Sequence, residues 1–283
     1  MRVTLFLAPI LAGLIAAGVA RADPDGPAPL EVTTVGTALP AGFVDLAGVA
    51  PGIAVQMRYA GAHNFVGRPV AGYQASRCLL SRPAAAALAQ VERDLAPRGL
   101  GLLVYDCYRP QRAVDDFVAW AHDPADTATR SRHYPAVPKA ELFQRGYIAL
   151  RSGHTRGSTV DLTLIRLARP LIAAADRPAN PAPSSEPLSE PLSEPLSEPD
   201  DCRFPAGAAD SSDGTVDMGT TFDCFDQRAH ADFPVLSRRA QRHRRLLRQA
   251  MVRRGFAPYA KEWWHFTLAG EPFPDRYFNF EVR

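Results

Sequence analysis

The sequence predicts an α+β fold, a single domain in which helices and short strands mix without the regular βαβ alternation of a doubly wound sheet. Three tracts carry that reading. Residues 82–121 pattern as helix, strand, helix, and residues 238–268 as helix then strand. Between them, residues 169–213 have a composition that builds neither. With 283 residues, 46% hydrophobic and 22% charged, the chain can bury one large core. Its formal charge is only +2, and with no basic block the chain offers no electrostatic footprint for nucleic acid.

Taken in order, the chain opens with Arg2, an apolar run from Val3 to Ala20, and the A-x-A pattern Ala20-Arg21-Ala22. That layout predicts a secretory signal peptide over residues 1–22. The run is about 18 residues, the lower limit for a spanning helix, and Pro9 and Gly13 weaken it. A cleaved leader places the mature protein in the periplasm or outside the cell, without stable membrane association. Residues 23–41 read as a flexible N-terminal segment, and residues 42–283 as the folded domain. In an oxidising compartment, four cysteines outside any C-x-x-C pair default to disulfides. Of three possible connectivities, Cys78–Cys107 and Cys202–Cys224 close the shortest loops.

Ser81-Arg82-Pro83 reads as a cap and first turn, opening an alanine-rich helix to about residue 96. Residues 99–105 form an apolar run of strand type, and a helix follows from 111 to about 121. Residues 169–213 contain the perfect repeat SEPL-SEPL-SEPL-SEP and nine of the 26 prolines. Proline at every fourth position blocks helix and sheet alike, so this tract reads as a solvated, disordered insertion. Residues 238–254 alternate basic and apolar residues at helical spacing, and the arginines read as a solvated face. Residues 262–268 pattern as an aromatic strand.

Two segments concentrate ligand-type residues beside turns. His154 and Asp161 stand seven apart around Gly157, and Glu262 stands three before His265. Hydrolysis at zinc needs three protein ligands, an open position and a base that is not a ligand. His154, Asp161 and His265 can supply the first, and Glu262 the last. His122, His133, His230 and His243 have no comparable neighbours and read as surface residues. At least one of Trp263 and Trp264 reads as core packing.

The pattern S-x-H-x-x-G-x-x-x-D followed by E-x-W-H resembles the signature of the zinc D-alanyl-D-alanine dipeptidases, the VanX-type branch of peptidase family M15. The likeness extends to Tyr59, Asn64-Phe65, Gly67, Gly72-Tyr73, Asp106-x-Tyr108-Arg109-Pro110, Met218-Gly219-Thr220 and Phe222-Asp223. It covers residue 42 to the C-terminus apart from the insertion. The resemblance implies a central, mainly antiparallel sheet flanked by helices, as in Hedgehog and D,D-peptidase domains, and one Zn2+ per chain. It implies His154, Asp161 and His265 as ligands, and Glu262 as the base that activates a zinc-bound water. Arg109 would stabilise the oxyanion, while Tyr59, Ser152 and Asp223 would hold the D-Ala-D-Ala dipeptide. Thr159 departs from the family's usual alanine, and His63 stands where relatives often carry aspartate. A peptidase for longer peptidoglycan stems, and a non-catalytic zinc-containing peptide-binding protein, are the alternatives the pattern leaves open.

Overall fold

A computed structural model describes residues 39–167, 201–203 and 214–283. The leader expected over residues 1–22, residues 23–38 and most of the 169–213 tract lie outside the described residues. The elements, in chain order, are β1 (Phe43–Asp45), α1 (Leu46–Val49), β2 (Ala54–Val55), β3 (Leu79–Ser81), α2 (Arg82–Leu95), β4 (Leu100–Asp106), α3 (Gln111–His122), α4 (Arg130–His133), β5 (Thr159–Arg166), α5 (Arg238–Arg253), β6 (Phe256–Pro258) and β7 (His265–Leu268). Five strands form a mixed sheet in the order β2-β4-β5-β7-β6; β2 runs parallel to β4 and every other pair is antiparallel. β1 and β3 make a separate antiparallel ribbon.

β4 sits inside the sheet, and all seven of its residues are buried. A strand covered on both faces reads as a continuous apolar run rather than an alternating one, which is the pattern of residues 100–105. Helix α2 buries Ala84, Ala85, Leu88, Val91 and Leu95 along one stripe, at the spacing of an amphipathic helix. Pro83 falls in its first turn as expected. Ser81 stands at the N-cap but its side chain makes no capping bond; its hydroxyl lies 2.7 Å from that of Ser158 instead. That bond ties the start of α2 to the turn that precedes β5.

Several expectations need correction. The C-terminal strand begins at His265, because residues 259–264 form turns. Glu262 therefore projects from a turn. Trp263 and Trp264 are both buried. On α5, Arg244 is not solvated: it is buried, and its guanidinium donates to the carbonyls of Met218, His230 and Arg228. Burial lowers it to about 9. His133 is buried and its Nδ1 lies 3.1 Å from the Asp223 carbonyl. His230 and His243 are half-buried and hydrogen-bonded; His122 is exposed. Cys202, inside the tract read as solvated, is buried and bonded to Cys224, while Cys78 bonds to Cys107.

Gly157 turns the chain from the His154 segment into β5 with φ +80°, and a side chain there would run into the ring of Phe43. Its carbonyl accepts from the Ser81 amide at 2.6 Å. Gly157→Ala combines a left-handed backbone with overpacking, which together cost about 2–4 kcal/mol. Thermal unfolding should show a melting temperature lower by roughly 4–16 °C, at 2–4 °C per kcal/mol for a domain of this size.

Candidate metal centre and substrate cavity

The sheet register brings the ligand-type residues together. Asp161 on β5 stands opposite Asp106 on β4 and opposite His265 on β7. His154 comes from a short 3-10 turn, Gly153–Arg156, whose start is capped by Ser152: the Ser152 Oγ accepts from the His154 amide at 3.2 Å. Glycine at position 157 then folds that turn back onto β5. Seven residues of separation thereby become contact, with His154 Nε2 at 3.2 Å from Asp161 Oδ2.

The third corner is His265 Nδ1, 3.0 Å from Asp161 Oδ1 and 3.4 Å from His154 Nε2. One ligand atom from each residue falls within 4.8 Å of the others. His154 and Asp161 are buried, and His265 is partly exposed. His154 Nδ1 sits 2.7 Å from the Cys107 carbonyl, so Nδ1–H donates there and the Nε2 lone pair faces the cluster. Asp161 Oδ1 is buried, and although His265 Nδ1 lies 3.0 Å away it makes no hydrogen bond of regular geometry. Two imidazole nitrogens and a buried carboxylate oxygen converging on one point make a donor set for a divalent metal ion. Burial works to raise the Asp161 carboxyl, but the adjacent imidazoles outweigh it and hold it below the usual carboxylate range.

Glu262 approaches from the turn before β7, with Oε2 3.5 Å from His265 Nδ1. Burial, and then repulsion from Asp161, push its carboxyl well above the ordinary range. Arg109, just before α3, donates from Nε to Asp106 at 2.9 Å and reaches Asp161 with Nη2 at 3.6 Å. Its guanidinium lies over the rings of Tyr59 and Phe117 at 4.9 and 5.0 Å. Tyr59 donates to Asp223 at 2.8 Å. Asp223 adopts φ 55°, the one non-glycine residue with positive φ among the described residues. Burial first, and then the charge of Asp161, raise its carboxyl well above the usual range.

All eight sequence-predicted residues gather here, and all but His154 line one cavity of about 250 Å³, small against the ~300–1,000 Å³ of drug-sized sites. The two departures leave the centre intact. The Thr159 hydroxyl pairs with that of Thr267 across the β5–β7 ladder at 2.9 Å, and His63 is exposed. Sequence reasoning assigned no role to Asp106, which is fully buried. It accepts from Tyr73 at 2.6 Å and from Arg109, and lies 3.4 Å from His154 Nδ1. The signal was present in the Asp106-x-Tyr108-Arg109-Pro110 run, but its partners are fixed only by folding.

The sequence profile of the peptidase M15 family, described as D-Ala-D-Ala dipeptidase, matches residues 40–173 and 208–283. Its break falls inside the proline-rich insertion. A D-alanyl-D-alanine dipeptidase of Streptomyces coelicolor is 39% identical over 231 residues, covering 82% of this chain and 93% of the relative. One from Enterococcus faecalis is 35% identical over 241 residues, 85% of this chain and 98% of the relative. One from Escherichia coli is 29% identical over 226 residues, covering 80% and 84%.

Removing the Asp106 charge leaves a buried arginine without its main counter-ion, which costs about 3–5 kcal/mol. Asp106→Asn should therefore lower the denaturant midpoint without changing the slope.

Proposed function

We propose that this chain, which belongs to the peptidase M15 family of D-Ala-D-Ala dipeptidases, hydrolyses D-alanyl-D-alanine to two D-alanines at a single zinc ion, in the periplasm or outside the cell. It is a metallopeptidase by family. The observation that carries the finer reading is the convergence of His154 Nε2 on Asp161 Oδ2 and of His265 Nδ1 on Asp161 Oδ1, with Oδ1 buried and in no hydrogen bond of regular geometry. His154, Asp161 and His265 would hold the metal, which when bound polarises the scissile carbonyl and acidifies water near neutral pH.

The protein's own groups do the rest. Glu262 takes a proton from the attacking water on its carboxylate and returns it to the leaving amine as the C–N bond breaks. Arg109 stays charged between Asp106 and Asp161 and faces the negative charge that grows on the carbonyl oxygen. Asp223, held by the Tyr59 hydroxyl, meets the free ammonium of the dipeptide. The Ser152 oxygen accepts from the His154 amide, which leaves its proton for a substrate acceptor. The small cavity and the buried Asp223 favour a free dipeptide over an acylated or longer chain at the N-terminal side.

Glu262→Gln should lower kcat by about 10²–10⁴, the usual worth of a positioned general base, while metal content by elemental analysis stays at one zinc per chain. Unchanged turnover would remove Glu262 from the mechanism. Dialysis against a chelator should abolish D-alanine release, and zinc should restore it. A protein with full activity and no bound metal would overturn the reading. With N-acetyl-D-Ala-D-Ala as substrate, kcat/KM should fall at least about tenfold, the low end for a lost charged hydrogen bond.

A further inference from the structure

We propose that Arg151 anchors the carboxylate of the substrate and so reads its C-terminal end. This rests on the dipeptidase reading above. A zwitterionic dipeptide brings a carboxylate into the cavity as well as an ammonium, and a carboxylate leaving water requires a cationic or strongly donating partner.

Three residues with cationic or imidazole side chains line the cavity: Arg109, Arg151 and His265. Two are committed. Arg109 is bound through Nε and Nη2 to Asp106 and stands 3.6 Å from Asp161. His265 Nδ1 faces Asp161 and Glu262. Arg151 is exposed at the cavity wall, and among the described residues no carboxylate forms an ion pair with it. Its guanidinium lies over the ring of Tyr277 at 5.1 Å. Arg156 approaches the same ring at 5.8 Å but is paired with Glu271 at 2.7 Å. Stacking occupies the flat face of a guanidinium and leaves its edge N–H donors for a planar carboxylate. Arg151 also directly precedes Ser152, in the segment that presents His154. The carboxylate is thus read from the turn that builds the metal centre, and the ammonium from the separate segment that carries Asp223.

The test compares wild type with Arg151→Ala and Arg151→Lys on D-Ala-D-Ala and on its C-terminal amide, which lacks the charge. Loss of a charged, forked contact is worth about ten- to a hundredfold. Arg151→Ala should raise KM for the dipeptide by that factor with kcat within about threefold, and leave KM for the amide unchanged. Arg151→Lys should fall between. Melting temperatures confirm that each variant folds. If KM for both substrates rises equally, or if neither rises, Arg151 is not the carboxylate anchor. A wild-type protein that releases no D-alanine from the dipeptide overturns the dipeptidase reading itself, whatever the variants do. Titration of D-Ala-D-Ala into Glu262→Gln with and without Arg151→Ala then still reports the anchor, as a weakened affinity or an unchanged one.

Discussion

The constraint on which the site depends is a row of register across three strands. Asp106, Asp161 and His265 stand side by side on β4, β5 and β7, so two carboxylates face each other in the middle of a buried sheet. Like charges directly opposite are destabilising, and buried carboxylates demand partners. Arg109 answers both demands, because it binds Asp106 and also reaches Asp161. Tyr73 satisfies the other Asp106 oxygen, and His154 approaches both acids. Arg109 is therefore held by the charges it neutralises, and its place beside the cluster follows from the sheet. Asp161 Oδ1, which faces His265 Nδ1 at 3.0 Å without a hydrogen bond of regular geometry, is the oxygen that a metal would take under the proposed assignment.

Two cross-links secure the loops that feed this row. Cys107 lies next to Asp106, and its carbonyl orients His154; Cys224 lies next to Asp223. Their Cα separations of 5.2 and 5.5 Å are ordinary for disulfides. Loops of 29 and 22 residues give each bond about 3–4 kcal/mol in the chain-entropy view. The chain also tolerates its insertion for a local reason. Arg166 donates to the Gly214 carbonyl and Val216 to Leu164, so the chain leaves and re-enters at neighbouring positions on the edge of β5. Closure cost grows only slowly with the length between such ends.

What the sequence made legible was the local part. Short motifs encode the turn at Ser152–Gly157, the spacing of His154 and Asp161 and the Glu262–His265 pair, and helix periodicity encodes α2, α3 and α5. What it did not encode locally was pairing over distance. His133 and Arg244 look like surface residues because their own neighbours are polar, yet each is buried to hold backbone carbonyls of other segments. Tyr73 meets Asp106 across 33 residues, and Tyr59 meets Asp223 across 164. Arg151 carries no spacing signature at all. Only the cavity wall distinguishes it from the other exposed arginines.

Asp223 shows how these distant contacts bear on chemistry. Its left-handed backbone is tolerated by aspartate better than by bulkier residues, and it is held from three sides. Cys224 is cross-linked, His133 meets the Asp223 carbonyl, and the Phe225 amide donates to the His133 carbonyl at 2.7 Å. That scaffold buries a carboxyl whose proton affinity is raised by burial and by the field of Asp161. Burial and that field both work against the charged form. An ammonium brought within reach reverses the balance, because the ion pair stabilises the carboxylate that burial alone disfavours. An acylated nitrogen brings no charge and leaves that carboxyl unpaired. Under the proposed assignment, the preference for a free amine is built from the same burial that makes Asp223 a poor anion on its own.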